Sequence, residues 1–136
     1  MTIRVHRPDA LPWRKIGDIP MGWMRDHMDP TELEGHLAFH EAGDAATPQL
    51  MEMRLKPDTL IAPHSHEKDE IYYVAEGSLH WDGRSLEAGG SIFIGAETPY
   101  SFTTGDKGAR LLNFRASADH SFRPVGVDRS AVPAAD

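Results

Sequence analysis

The sequence contains no cysteine, which removes disulfides, thiolate nucleophiles and cysteine-based zinc or iron-sulfur centres. That absence excludes chemistries and leaves the compartment open, because a secreted protein need not contain cysteine. Nowhere do 18 apolar residues run together, and the opening MTIRVHRPDALPWRKIGDIPMG lacks the unbroken apolar core of a signal peptide. A soluble, cytoplasmic protein without a membrane partner is expected. Positive charge is also scarce: 14 Lys and Arg stand against 21 Asp and Glu, a net −7 with His neutral. No basic block offsets that balance locally, so nucleic acid is not an expected partner. At 136 residues the chain suffices for one hydrophobic core and is too short for two comfortable ones.

What is present is turn-rich. Twelve glycines and ten prolines lie between short apolar stretches, a pattern of many turns and few long helices. Residues 1–36 read as an N-terminal arm, largely irregular because Pro8, Pro12, Pro20, Gly17 and Gly22 interrupt any helical period. Trp13, Ile16, Ile19, Met21, Trp23 and Met24 make that arm too apolar for a free linker, so it is expected to lie across the body or a partner. Asp29-Pro30-Thr31-Glu32 has the cap and N1 proline of a helix start, but Gly35 limits it to one turn. Residues 37–118 form the strand-rich body. Met51, Met53 and Leu55 alternate with Glu52 and Arg54, the period of a strand buried on one face. Ile71 to Ala75 is β-branched and aromatic, with Gly77 expected to end it, and Asp82-Gly83 is a tight-hairpin signal. The segment Thr103–Gly108 reads as a hairpin loop. The regular spacing suggests an all-β antiparallel sandwich or barrel, closed so that its edges are protected. Residues 119–136 are a polar C-terminal extension, pinned by Phe122 and Val125 and frayed over the last half-dozen residues.

Chemistry concentrates between positions 64 and 72. His64 and His66 are one residue apart, so on an extended segment their imidazoles share a side. Glu70 follows after a bend at Glu67-Lys68-Asp69. Two neutral imidazoles and a carboxylate suit Zn, Fe(II), Mn, Co or Ni, with positions left for water or substrate. Rival constellations are missing: Ser91 has no G-x-S-x-G elbow, and Gly89-Gly90 lacks the Lys-Ser/Thr of a phosphate loop.

These residues resemble the first motif of the cupin family, G-x5-H-x-H-x3,4-E-x6-G. Here it reads D58-TLIAP-H64-S-H66-EKD-E70-IYYVAE-G77, with Asp58 alone departing. The second motif, G-x5-P-x-G-x2-H-x3-N, is matched weakly over E87-AGGSIFIGAETPYSFTTG, where Gly95 stands for the proline and Tyr100 for the third histidine. The resemblance spans roughly residues 47 to 116. It implies one cupin domain, a jelly-roll β-barrel, holding one divalent metal per chain on His64, His66 and Glu70. It also implies a homodimer and a small-molecule substrate or ligand. Fe(II) is favoured, with Zn, Mn, Ni or Co as alternatives.

Three readings of Tyr100 compete: a fourth metal ligand, a pocket hydroxyl acting as acid, base or anchor, and plain packing. Tyr72 shares the face of Glu70 by the period of two and is the second candidate catalytic hydroxyl, core packing being the bland alternative. Tyr73 points the other way, toward another sheet, the arm or a partner. Arg110 and Arg115 fall on opposite faces, which leaves one of them able to enter the barrel and neutralise a substrate carboxylate, an arginine at the barrel mouth or a dimer seam being the bland alternative. His80 is expected to be exposed or hydrogen-bonded, Glu97 exposed, His6 and His120 peripheral, and His27, His36 and His40 are left unplaced. The leading expectation is an Fe(II)-dependent dioxygenase. A non-redox isomerase or lyase is the first alternative, and a binding or sensing protein without turnover the second.

Overall fold

A computed structural model describes residues 2–126; the expected fraying of the last half-dozen residues lies outside them. Nine strands account for the body: β1 Arg14–Lys15, β2 His36–Glu41, β3 Gln49–Leu55, β4 Leu60–Ser65, β5 Glu70–Trp81, β6 Arg84–Glu87, β7 Ser91–Ile94, β8 Tyr100–Arg115 and β9 Arg123–Pro124. All pairings are antiparallel, in the order β1-β2-β3-β8-β4-β9, with β5 also paired to β8 and carrying β6 and β7. This is an all-β, jelly-roll type of fold, but the hydrogen-bonded ladder does not close on itself. Its outer strands β1, β6, β7 and β9 are two to four residues long. Shortness therefore protects the edges, where closure was expected.

Two expected breaks are also absent. Gly77 does not end a strand and Thr103–Gly108 is not a loop; β5 runs through the first and β8 through the second. Both glycines adopt positive φ (77° and 71°) at the point where the β5–β8 register shifts, and a Cβ on Gly77 would lie 1.9 Å from the Gly108 carbonyl oxygen. The glycines thus bend two paired strands through a shared bulge instead of stopping them. The hairpin signal Asp82-Gly83 does make the β5–β6 turn, with φ of 46° and 73°. Asp58, standing for the family's glycine, also takes positive φ (57°), a conformation that aspartate tolerates better than most residues.

Inward-facing side chains of β3, β4, β5 and β8 make the core, including Met53, Ile61, Val74, Leu79, Phe102 and Leu111. The arm lies across this body as 3-10 turns at Pro8–Ala10, Ile16–Asp18, Gly22–His27 and Glu32–Glu34. Ile16 is 1% exposed, its N–H donates to the Gly35 carbonyl, and Trp13 stacks under the Arg54 guanidinium.

Candidate metal centre

Strand pairing brings the chemistry to one end of the interior. β4 carries His64, whose cross-strand partner is Tyr100, the first residue of β8. Glu70 opens β5, and Tyr72, two residues on, pairs with Asn113 near the end of β8. Arg115 ends β8 opposite Gln49. The period of two points Glu70, Tyr72, Asn113 and Arg115 inward, and all four are buried.

The two imidazoles are held by backbone carbonyls. His64 Nδ1 lies 2.7 Å from the Ala62 oxygen and His66 Nδ1 lies 2.5 Å from the Ser121 oxygen. A ring nitrogen facing a carbonyl carries the proton, so in each neutral ring the lone pair is on Nε2. Those two Nε2 atoms face each other at 3.0 Å. Burial pushes both imidazoles down to about 4, helped by mutual repulsion at His64 and by Arg115 at His66. Near neutral pH no ring proton separates the lone pairs. Two nitrogens each about 2.1 Å from a divalent cation stand about 3.0 Å apart at a right angle and about 3.4 Å at the tetrahedral angle, so the pair is spaced for a cation and is otherwise repulsive.

Glu70 is the third candidate donor, although it is already engaged. Tyr100 donates to its Oε1 at 2.9 Å and Asn113 Nδ2 approaches the same oxygen at 3.3 Å. Arg115 Nη2 holds Oε2 at 3.2 Å, and that oxygen is 3.9 Å from His66 Nε2. Among the described residues no three His, Asp or Glu side chains are drawn up as a complete ligand set; two imidazoles are, with the carboxylate one short movement away. The donor chemistry fits a divalent cation held by His64, His66 and Glu70.

The Tyr100 hydroxyl is committed to Glu70 and lies 3.1 Å from the Tyr72 hydroxyl. Since Tyr100 donates to the carboxylate, Tyr72 donates to Tyr100, giving a directed chain Tyr72 to Tyr100 to Glu70. Burial, then each other's charge and that of Glu70, raise Tyr100 well above 10, and burial followed by Glu70 raises Tyr72 likewise. Without a cation beside them both are phenols rather than phenolates.

Asn113 and Asp119 were not singled out from the sequence; Trp23 and Phe122 were, though not for contact with the imidazoles. Phe122 stacks on His64 with centroids 5.0 Å apart, and Trp23 of the arm packs on Phe122 at 5.9 Å, so both chain extensions cover the imidazoles. Asp119 accepts from the Lys68 N–H and from Ser121, ordering the turn whose carbonyl fixes His66. Asn113 and Arg115 follow the inward alternation from Leu111, a legible signal; the approach of Phe122 is long-range and had none. The remaining histidines stay apart from the pair: His40 contacts Glu52 on the other face of the sheet, His6 contacts Glu41, His27 packs on Trp23, His80 contacts Ser78, and His36 and His120 are exposed. Glu97 is an exposed partner of Arg123. Beside Tyr100 opens a cleft of about 270 Å³ lined by Leu79, Trp81, Ile92, Ile94 and Phe102.

Residues 51–115 match the family model described as Cupin domain. That span is a cupin domain. Solved cupin-fold structures agree. The polyketide cyclase RemF from Streptomyces resistomycificus is 26% identical, with 95% of this chain and 89% of that one covered and a TM-score of 0.65. KdgF from Halomonas sp. is 14% identical over 96% of this cupin and 100% of its own chain, with a TM-score of 0.62. A variant of oxalate decarboxylase from Bacillus subtilis is 21% identical at a TM-score of 0.52, over 62% of this chain. This cupin spans only 26% of that enzyme's length. No curated protein sequence matches it significantly.

Proposed function

We propose that this cupin is a divalent-metal enzyme that moves a proton on a small, largely apolar organic molecule bearing a carbonyl, enol or phenol oxygen. The observation that carries the reading is the buried Tyr72–Tyr100–Glu70 hydrogen-bond chain ending beside the paired imidazoles. His64, His66 and Glu70 would hold the cation, which when bound polarises a substrate oxygen as a Lewis acid. Tyr100, at the cleft wall, presents a protonated hydroxyl to a molecule seated against Leu79 and Phe102. A proton leaving the substrate would pass to the Tyr100 oxygen as the Tyr100 proton shifts to Glu70 Oε1, and the reverse shift would return it at the new position, with Tyr72 donating its hydrogen bond to the Tyr100 oxygen throughout. Phe122 and Trp23 shield the imidazoles from water. The likeness to a protein described as a polyketide cyclase supports an enzymatic role on a small organic molecule.

A second reading, an Fe(II)-dependent dioxygenase, is favoured by the donor set itself. With tyrosine in place of the third histidine, two imidazoles and one carboxylate make the facial arrangement used by non-haem iron oxygenases. Anaerobic purification, reloading with Fe(II), Mn(II), Ni(II), Co(II) or Zn(II), and a substrate screen that records oxygen uptake separate the two. Oxygen-independent turnover with Zn(II) supports the proposal, whereas product formed only with Fe(II) and stoichiometric oxygen consumption replaces it with the second reading.

A further inference from the structure

Arg115 is a buried cation of the interior that the family motif leaves unassigned. The residue is 7% exposed; its guanidinium donates Nη1 to the Asp119 carbonyl oxygen at 2.8 Å, reaches Gln49 Oε1 at 3.5 Å, and finds no partner for Nε among the described residues. The remaining contact is the informative one. Nη2 lies on Glu70 Oε2, the same oxygen that faces His66 Nε2. A cation gathered by the two imidazoles must therefore take that oxygen from the guanidinium or share it at close range with another positive charge.

Removing the guanidinium acts on two states in opposite directions. In the metal-free chain it leaves Glu70 as a buried carboxylate with only Tyr100 and Asn113 as donors, a costly arrangement for an ion. In the metal-bound chain it frees Oε2 and removes a repulsion that burial screens poorly. Asp119 lies within electrostatic reach of both Arg115 and His66, but its carboxylate is tied to Ser121 and the Lys68 N–H and does not contact the guanidinium.

We propose that Arg115 is an internal counter-ion standing in for the metal: it holds Glu70 in place in the metal-free protein and, by competing for Oε2, sets how tightly the cation binds. It is a positioning residue, acting on the site through Glu70. The inference rests on the His64, His66 and Glu70 reading and adds that the site is built to release its cation.

The test compares wild type with Arg115→Gln, which keeps a donor and loses the charge, and Arg115→Lys, which keeps the charge and loses the fork. Each full-length, chelated protein is titrated with Zn(II) by competition against a chromophoric chelator and melted with and without the metal. Arg115→Gln is expected to bind at least tenfold tighter than wild type, to melt lower without metal, and to gain more on loading; Arg115→Lys is expected to stay within about threefold of wild-type affinity. If Arg115→Gln is unfolded without metal, refolding on Zn(II) addition supports the proposal, and failure to refold at millimolar Zn(II) overturns it. Equal or weaker affinity in Arg115→Gln also overturns it while leaving the metal site standing. Absence of Zn(II) binding in both wild type and Arg115→Gln overturns the site and this inference together.

Discussion

Tyr100 is where the site departs most from the cupin pattern, and its geometry yields a separable prediction. Tyr100→Phe deletes one hydroxyl that bonds Glu70 and Tyr72 while the imidazole pair keeps its carbonyl partners. Metal content is expected to remain at the wild-type level, with kcat falling by about 10²–10⁴, the range for loss of a general acid or base. Loss of metal with the hydroxyl would instead make Tyr100 a ligand. Glu32 supplies the pH prediction. Burial, then the charge of Asp29, raises its carboxyl to about 7. Because the folded chain holds this proton more tightly than the unfolded chain, stability is lost as pH rises from about 4.5 through about 7. Glu32→Gln should therefore match wild type at pH 4 and exceed it by about 1–2 kcal/mol at pH 8, discounted for partial exposure. Urea melts at the two pH values check this, and equal differences at both would contradict it.

At the scale of elements, the paired glycines of β5 and β8 carry the geometry that aims β8 into the site. Gly77→Ala combines a positive φ with a Cβ placed against the Gly108 carbonyl oxygen, and a loss of about 3 kcal/mol or more in a denaturant melt is expected. Those glycines also show what sequence alone could convey. A glycine inside an apolar alternation reads as a stop or as a bulge, and only the facing strand decides which. Thus β5 and β8 were each divided, although their inward residues were legible from the period of two. The same logic holds for the site. His64, His66 and Glu70 are spaced locally, so the sequence displays them, and Tyr72 and Arg115 follow from strand alternation. The stacking of Phe122 and the Ser121 carbonyl on His66 join positions more than 50 residues apart, and no local pattern announces them. Asp58 and Glu97 both take positive φ where the two motifs place glycine, so these departures change the residue while keeping the turn.

For the whole molecule, the outer sheet face gives the expected homodimer a place to form. Phe93, Ile71 and Phe114 are cross-strand neighbours on β7, β5 and β8, and with Tyr73 they remain 40–65% exposed. The arm adds Ile3 and Val5, held outward while Arg4 and His6 between and beside them bind Glu41. The cross-strand apolar face of β7, β5 and β8 is of the kind that marks an association site, and a second copy is proposed to cover it. Light scattering should give a dimer for wild type and a monomer for Phe93→Lys/Ile71→Lys; a monomeric wild type at micromolar concentration would refute the dimer without touching the metal site. The paired imidazoles are proposed to hold a cation, and a metal titration decides whether they do. After chelation and controlled reloading, wild type is predicted to bind one divalent ion per chain, while His64→Ala/His66→Ala loses more affinity than the ~10–100-fold typical of groups that only support a ligand, with His120→Ala unchanged. Equal metal content in wild type and the double variant would contradict the account.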